Sequence, residues 1–445
     1  MKTILVFGAG KSATVLIDYL KNTCAHNNWL LIVADANLQM AETKTNHHPN
    51  TEAVELNVTN EQERRMLIED ASVVISLLPP HLHILIAKEC VAIGRSLLTA
   101  SYVDADIKML EAEIKSKELL FLCEMGLDPG IDHMSAMQLI DGIKAKGGSI
   151  TSFKSHCGGL VAPESDNNPW HYKISWNPRN IVRAGSAGAV YKLNDQIIEK
   201  PYNHVFEDCE VLQVAQLPVM AWYPNRDSLS YIPLYHLEEA STFIRTTLRY
   251  ADFCKGWDVI VDLELTDEQD QNLVSKCKTF ADWLEQKLFK VEQRDISFRM
   301  YLELYADEDA HEKIIEQFDF LELNSMELLP AHVKCSADIL QYRMEQKLAL
   351  QAADKDMIVM QHEIDYVSDG KQHGIKSSLI VKGEDNLRTA MAKTVGLPLG
   401  IAAKLILEET IKLKGLHIPT HKEIYEPVLE ELAMNEISFI EVHYP

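Results

Sequence analysis

The chain has 445 residues, of which 47% are hydrophobic, and it carries a formal net charge of −23 at pH 7. This length exceeds what one hydrophobic core usually serves, so it predicts two or three domains. The acidic balance argues against nucleic acid and against an anionic membrane surface as partners. Eight cysteines without a CxxC pair favour reduced thiols, and no His/Cys spacing indicates a metal site. No apolar run looks long enough for a transmembrane helix, so we expect a cytoplasmic protein.

The first 35 residues have the layout of a dinucleotide-binding unit. An apolar strand leads into a glycine turn, a helix-length stretch follows, and a second apolar strand ends in a carboxylate. Gly8 permits the tight turn, Gly10 lets the backbone approach a pyrophosphate, and Ala13 allows close packing of helix on strand. The N-terminus of the helix favours the phosphates. The predicted cofactor residues of the turn are Gly8, Gly10, Lys11, Ser12 and Ala13.

Asp35 ends the second strand, where the acidic residue of this fingerprint meets the adenosine ribose. A carboxylate there accepts hydrogen bonds from the 2′- and 3′-hydroxyls and repels a 2′-phosphate. Residues 36–39 contain no arginine that could pair with such a phosphate. The pattern therefore predicts NAD, with NADP possible, against the alternative of a surface aspartate at a strand end.

Strands and helices continue to alternate up to residue 123, which predicts a doubly wound parallel sheet. Strands are predicted at 52–57, 71–78, 96–101 and 119–123, and helices at 61–69, 82–93 and 105–117. Ligands of such sheets bind at the carboxyl ends of the strands. Besides the glycine turn and Asp35, that edge comprises residues 76–80, 101–102 and 124–130.

The pattern of predicted strands and helices changes beyond residue 147. Segments 152–157, 189–193 and 259–265 are interpreted as strands of a second sheet, and residues 266–351 are mostly helical by pattern. A strand pair at 358–366 and 375–381, a long helix at 387–413, a helix at 425–434 and a closing strand follow.

Several long motifs, in consistent order along the chain, resemble the L-glutamate-forming branch of the saccharopine dehydrogenase family. They lie at residues 97–103, 124–134, 157–164, 172–176, 223–228, 245–250 and 390–398. The chain departs from the family pattern at Val161, where Pro is usual, at Asn180, where Gly is usual, and around residues 270–350.

The resemblance implies an α/β fold: a Rossmann-like doubly wound parallel sheet, plus a mixed-sheet α+β substrate and dimerisation domain with a helical insertion. The Rossmann-like NAD(P)-binding domain is expected at residues 1–130, completed by about 390–445. The substrate and dimerisation domain is expected at residues 131–265 and 352–389, and the helical insertion at residues 266–351. A homodimer is implied as well.

The resemblance also implies an activity, the oxidation of saccharopine with NAD(P) to L-glutamate and 2-aminoadipate 6-semialdehyde in lysine metabolism. Hydride leaves the carbon that bears the secondary amine, an imine forms, water adds, and the carbinolamine collapses. Two alternatives stay open. One is a related secondary-amine dehydrogenase such as carboxynorspermidine dehydrogenase, and the other is a non-catalytic dinucleotide sensor.

Site residues are carried over from the family by position. The substrate residues are Ser101, Tyr102, Asp128, Arg226, Arg245, Thr246 and Thr247. The candidates for proton transfer are Tyr102, Asp128 and Cys157. The remaining cofactor residues are Ser76, Leu77, Leu78, Gly126, Leu127, Pro129, Ile131 and Ser175.

The residue types suit these roles, since a guanidinium binds a carboxylate through two parallel hydrogen bonds and stays charged when buried. Each role has an alternative. Tyr102 could be a packing aromatic, Asp128 a helix cap, Arg226 a partner of Asp227, and Cys157 a residue that only lines the site. The identity of the general base stays open.

Overall fold

The computed structural model describes residues 1–445, which form two compact units. Unit 1 comprises residues 1–150, 366–372 and 379–440, and unit 2 comprises residues 151–365, 373–378 and 441–445. The chain thus leaves unit 1 and later returns to it. The expected division into three domains, with residues 266–351 as an insertion, stays a prediction.

Unit 1 is built on a parallel sheet of seven strands. Numbered along the chain, they are β1 (Thr3–Phe7), β2 (Leu30–Asp35), β3 (Thr51–Glu55), β4 (Val73–Ser76), β5 (Ser96–Thr99), β6 (Leu120–Leu122) and β16 (Gly415–His417). Their order is β16-β6-β5-β4-β1-β2-β3. The order reverses beside β1, and such a reversal opens a crevice at the carboxyl ends of the strands. The expected Rossmann-like sheet, completed from the C-terminus, is confirmed.

The helices of unit 1 connect these strands. They are α1 (Ala13–Asn27), α2 (Leu38–Thr45), α3 (Glu61–Asp70), α4 (Pro80–Ile93), α5 (Ala105–Met109), α6 (Glu111–Ser116), α7 (Ile131–Ala145), α16 (Ala390–Leu407) and α17 (Lys422–Met434). Helix α4 begins at Pro80, two residues before the predicted start, because proline fits the first turn of a helix. The single helix expected at 105–117 is two short helices that meet at Leu110.

Helix α16 corrects one expectation. It has 18 residues with a mean hydropathy of 1.5, so by length and composition it could cross a membrane. The structure buries 78% of this stretch. Gly396 and Gly400 let α16 approach α1 closely, since a Cβ at Gly396 would stand 3.0 Å from the backbone nitrogen of Leu16. Most of the apolar surface of α16 is therefore covered by protein.

The second sheet is mixed and has ten strands. The strands are β7 (Ser149–Val161), β8 (Ala189–Leu193), β9 (Gln196–Lys200), β10 (Glu210–Leu212), β11 (Met220–Pro224), β12 (Arg226–Asp227), β13 (Thr242–Tyr250), β14 (Asp356–Ser368), β15 (Lys371–Lys382) and β17 (Ile440–Tyr444). Seven of them follow the order β10-β11-β13-β7-β14-β15-β17, and β8 links β9 and β12 to β13. Its pairings include the parallel pair β13–β7 and the antiparallel pair β11–β13.

Unit 2 adds a layer of helices. They are α8 (Pro178–Val182), α9 (Ile232–Tyr235), α10 (Ala251–Asp262), α11 (Gln271–Val274), α12 (Phe280–Glu292), α13 (Phe298–Tyr305), α14 (His311–Phe320) and α15 (Ser336–Lys347). Trp170, Trp257 and Trp283 lie fully buried in one apolar core of this unit.

The strand expected at 259–265 is wrong, because residues 251–262 form the amphipathic helix α10. Phe253, Trp257 and Ile260 recur at helical spacing and are all fully buried. This period of three to four residues outweighs the short alternation of apolar residues that suggested a strand.

Candidate functional site

The glycine turn between β1 and α1 has the shape that a dinucleotide requires. Gly8 has φ +102°, and a Cβ there would stand 3.1 Å from the carbonyl oxygen of Leu77. Apart from Gly10 itself and its two neighbours in the chain, no residue has an atom within 4 Å of the position that a Cβ would take at Gly10. Ser12 makes no side-chain cap on α1, whose first turn carries no acidic residue. Open space beside an uncapped helix N-terminus fits a pyrophosphate.

The other residues of the turn follow their predicted order. Lys11 is exposed, Ser12 is partly exposed, and Ala13 is buried as the first residue of α1. The Ala13 N–H donates to the carbonyl of Gly10 at 3.1 Å, which closes the turn.

Asp35 lies at the tip of β2 and braces the glycine turn. Its Oδ2 accepts a hydrogen bond from the N–H of Ala9 at 2.7 Å, and its Oδ1 accepts one from the N–H of Asn37 at 2.8 Å. Each carboxylate oxygen has a further lone pair for a ribose hydroxyl. The sequence pattern did not reveal that the same carboxylate also braces the turn.

Lys44 is a second residue at the turn, and sequence reasoning missed it. It lies in the last turn of α2, and its Nζ donates to the carbonyl of Gly10 and to Thr14 Oγ1. Burial lowers the pKa of Lys44 to about 8, and the charges of Asp35 and Asp18 oppose that shift. A basic residue one helix beyond Asp35 was the only available signal.

The ends of β4 and β5 bring Ser76 and Ser101 to one imidazole. Ser76 is fully buried, whereas Ser101, just past β5, is partly exposed. His83 Nδ1 lies 2.8 Å from Ser76 Oγ, and His83 Nε2 lies 2.9 Å from Ser101 Oγ. Leu77 and Leu78 follow Ser76 and are half-buried.

The loops after β5 and β6 are tied together by Glu124. The N–H of Glu124 donates to the carbonyl of Ser101, and Oε1 accepts a hydrogen bond from the N–H of Val103. Oε2 lies 2.9 Å from Nε2 of His133, which is fully buried. These contacts hold the chain on both sides of Tyr102. His133 thus supports the loop.

The loop from Gly126 to Ile131 lies directly after β6. A Cβ at Gly130 would stand 2.1 Å from the carbonyl oxygen of Gly126, so only glycine fits there. Gly126, Leu127, Pro129 and Ile131 are buried, and Asp128 is half-buried. Gly130 is the N-cap of α7 and no side chain caps this helix, so the capping role considered for Asp128 is not what the structure has.

In unit 2, strand β13 presents Arg245, Thr247 and Arg249 on one face, because alternate side chains of a strand point the same way. Thr247 lies opposite Cys157 of β7 in the parallel register. Arg245 is 3% exposed, and its guanidinium carbon lies 4.3 Å from the centre of the Tyr231 ring. The structure therefore groups Arg245, Thr247 and buried Cys157 on neighbouring strands.

The side chain of Thr246 lies on the other face of β13, and its predicted contact with the substrate stays a prediction. Thr246 is 1% exposed, and its Oγ1 lies 2.7 Å from Nδ1 of buried His156. A strand turns each successive side chain to the opposite face, so the hydroxyls of Thr246 and Thr247 point in opposite directions.

Arg226 begins β12 with φ +53° and is exposed. The preceding residue, Asn225, donates its N–H to the carbonyl of Arg245 at 2.9 Å, which fixes the Arg226 loop beside β13. Asp227 Oδ1 accepts the N–H groups of Leu229 and Ser230. The Asp227 carboxylate therefore stabilises the turn that follows it by accepting hydrogen bonds from backbone N–H groups.

Unit 2 also buries Ser175 and Arg249. Ser175 is buried in the loop before α8, whereas the other predicted cofactor residues all lie in unit 1. Arg249 packs its guanidinium over the rings of Tyr172 and Phe253, at 5.3 and 5.5 Å, and donates to the carbonyl of Leu248. These contacts give Arg249 a structural role.

Comparisons with known proteins agree with this architecture. The family model of the saccharopine dehydrogenase NADP binding domain matches residues 4–122, and that of the saccharopine dehydrogenase C-terminal domain matches residues 126–437. The chain is 30% identical to the Schizosaccharomyces pombe protein named saccharopine dehydrogenase (NADP(+), L-glutamate-forming), over 98% of both chains. It is 34% identical to the alpha-aminoadipic semialdehyde synthase of Arabidopsis thaliana over 98% of its own length, but spans only 44% of that relative.

The solved structure of apo histidine-tagged saccharopine dehydrogenase (L-Glu forming) from Saccharomyces cerevisiae matches the whole chain. The TM-score is 0.88 at 30% sequence identity, with 100% of both chains covered. The predictions of a Rossmann-like fold and of a nicotinamide dinucleotide site are thus confirmed. Matching domain models, relatives and structure show that the chain belongs to the saccharopine dehydrogenase family.

Proposed function

We propose that the protein is a saccharopine dehydrogenase of the L-glutamate-forming type, an NAD(P)-dependent oxidoreductase of lysine metabolism. The observation that carries the proposal is similarity over nearly the full length to two yeast proteins that bear this name, at 30% and 32% identity. Ser101, Tyr102 and Asp128, which the family motifs predict for the substrate, follow adjacent strands at the carboxyl edge of the unit 1 sheet.

In the proposed reaction, a bound nicotinamide dinucleotide supplies the hydride acceptor. The secondary amine of saccharopine loses its proton and the neighbouring carbon loses hydride, which leaves an imine. Water then adds to the imine carbon, and the carbon–nitrogen bond breaks to release glutamate and the semialdehyde. Tyr102, Asp128 and Cys157 are the proposed groups for holding or moving protons in these steps.

The three carboxylates of saccharopine need cationic partners. We assign two of them to Arg226 and Arg245, whose chain segments are joined by the hydrogen bond from the Asn225 N–H to the Arg245 carbonyl. Thr247 lies on the same strand face as Arg245 and supplies a hydroxyl donor. A charged hydrogen bond of this kind contributes about 1.5–3 kcal/mol to binding.

For the cofactor we propose NAD. The support is the carboxylate of Asp35 at the tip of β2, which would repel a 2′-phosphate. Both yeast relatives are named for NADP(+), and Lys44 places a cation at the same turn. Steady-state kinetics with each cofactor separate the two cases, and a higher kcat/KM with NADP than with NAD would overturn the preference.

The test of the function is oxidation of saccharopine by the purified protein, followed by absorbance of the reduced cofactor, with glutamate measured as the second product. Turnover of carboxynorspermidine in preference to saccharopine would favour the related dehydrogenase. Calorimetric binding of NAD without turnover of any amino-acid conjugate would favour a dinucleotide sensor. The homodimer and the cytoplasmic location stay proposals, and light scattering tests the dimer.

A further inference from the structure

His83 joins the ends of two neighbouring strands in unit 1. Strands β4 and β5 are parallel, with Ser76 in register with Thr99, so Ser76 and Ser101 both lie at the ligand edge of the sheet. The imidazole bridges their hydroxyls at 2.8 and 2.9 Å and is 3% exposed. Side chains on the first turn of a helix lean back toward its N-terminus, which directs His83 of α4 to these strand ends.

The protonation state of His83 determines which hydrogen bonds its ring can donate and accept. Burial lowers the pKa of His83 to about 4, with Asp104 opposing the shift and His81 adding to it. A neutral imidazole has one N–H donor and one nitrogen acceptor. One serine hydroxyl must then donate to the ring while the other accepts from it. The orientations of the two hydroxyl groups are therefore coupled through His83.

We propose that His83 is a positioning residue that fixes the direction in which the Ser101 hydroxyl faces the substrate. This inference rests on the proposed function, because Ser101 is there assigned to the substrate. A proton relay through the ring is less suitable, since the chain of bonds continues to Ser76, which is fully buried and has no contact with solvent. Ser76 acts instead as the anchor that holds the ring in place.

Two substitutions test the hydrogen bonds of the His83 imidazole to Ser76 and to Ser101 separately. The amide of asparagine reaches about as far as Nδ1, so His83→Asn can keep the bond to Ser76 but not the bond to Ser101. The amide of glutamine reaches about as far as Nε2, so His83→Gln can keep the bond to Ser101. We expect His83→Asn to lower kcat about tenfold with little change in KM, and His83→Gln to restore it to within about threefold of the wild type.

A purely structural role predicts another result. The proposal is overturned if His83→Asn and His83→Gln lower kcat equally. It is also overturned if the variant with the lower kcat is in each case the one with the lower melting temperature, so that loss of stability accounts for the loss of activity. His81→Asn is the matched control, because His81 is exposed on the same turn of α4 and its replacement should leave kcat and the melting temperature unchanged.

A second measurement does not depend on turnover. In nitrogen-15 spectra of histidine-labelled protein, the His83 ring should show one fixed neutral tautomer, and Ser101→Ala should change its nitrogen shifts. An averaged tautomer, or no response to Ser101→Ala, would overturn the positioning role. If the wild type shows this coupling but does not oxidise saccharopine, the proposed function fails while the bridge between the two serines stands.

Discussion

Because His156 is buried, its protonation at acid pH should lower the free energy of unfolding of the protein. The imidazole lies on β7 in unit 2, is 1% exposed, and uses Nδ1 in the hydrogen bond with Thr246. Its Nε2 is buried without a hydrogen-bond partner, and the ring lies 5.6 Å from that of Trp222. Protonation would place a charge on this site with no acceptor ready for it.

The size of the effect follows from the pKa. Burial lowers the pKa of His156 from 6.5 to about 4; Glu363 opposes the shift, whereas Lys154, His362 and Lys376 add to it. The unfolded chain binds the proton near pH 6.5, but the folded chain does not until about pH 4. Stability present above pH 6.5 is thus lost as the pH falls toward 4. At about 1.4 kcal/mol per pH unit, the loss approaches about 3 kcal/mol.

The variant His156→Asn tests this origin, because asparagine does not titrate and can keep the bond to Thr246. Urea unfolding followed by tryptophan fluorescence reports on unit 2, which holds every tryptophan except Trp29. Between about pH 7 and pH 4.5, the wild type should lose roughly 2–3 kcal/mol more than the variant. Phe153→Leu on the same strand is the control, since it removes packing without a titrating group and should keep the wild-type pH dependence. Equal acid sensitivity in the wild type and His156→Asn would refute the reasoning.

Three further predictions concern the site and its surroundings. Arg226→Ala should raise the KM for saccharopine at least about tenfold and leave the Kd for NAD nearly unchanged; equal losses would contradict the assignment to the substrate. Asp35→Asn keeps an acceptor for the turn but removes the charge, so the ratio of kcat/KM with NADP to that with NAD should rise about tenfold; an unchanged ratio would contradict the ribose contact. Hydrogen bonds with Asp166 and Asp252 raise the pKa of His171 to about 9, so its contribution to stability is complete below pH 6.5 and lost as the pH rises through 9. Denaturation at several pH values should show that His171→Asn costs about 1 kcal/mol at pH 6 and little above pH 9, the size being limited because the pair is partly exposed; a constant cost would refute the assignment.

Much of the unit 1 sheet could be predicted from the sequence, because most of its strands are buried on both faces and appear as short apolar runs. The glycine turn and Asp35 follow from local backbone requirements, which a sequence displays directly. The strand expected at 259–265 shows the limit. A short apolar run fits both the helical period and the strand period of apolar residues. Only packing against Trp170 and its neighbours in the unit 2 core selects the helix.

The site was harder to predict, because its supporting contacts join residues that are far apart in sequence. The bridge from Ser76 through His83 to Ser101 depends on two strands lying side by side, and nothing in the local sequence encodes the distance between their ends. Glu124 was missed for the same reason. The opposite orientations of Thr246 and Thr247 required knowing that this segment is a regular strand.

The return of the chain to unit 1 has a consequence for biosynthesis. Strand β16 and helices α16 and α17 belong to the unit that the first 150 residues begin. A ribosome therefore releases the last strand of the dinucleotide-binding sheet only after more than 260 intervening residues have emerged. A nascent chain that stops before Gly415 lacks an edge of that sheet, and so loss of the C-terminal segment should impair the nucleotide-binding half of the molecule first.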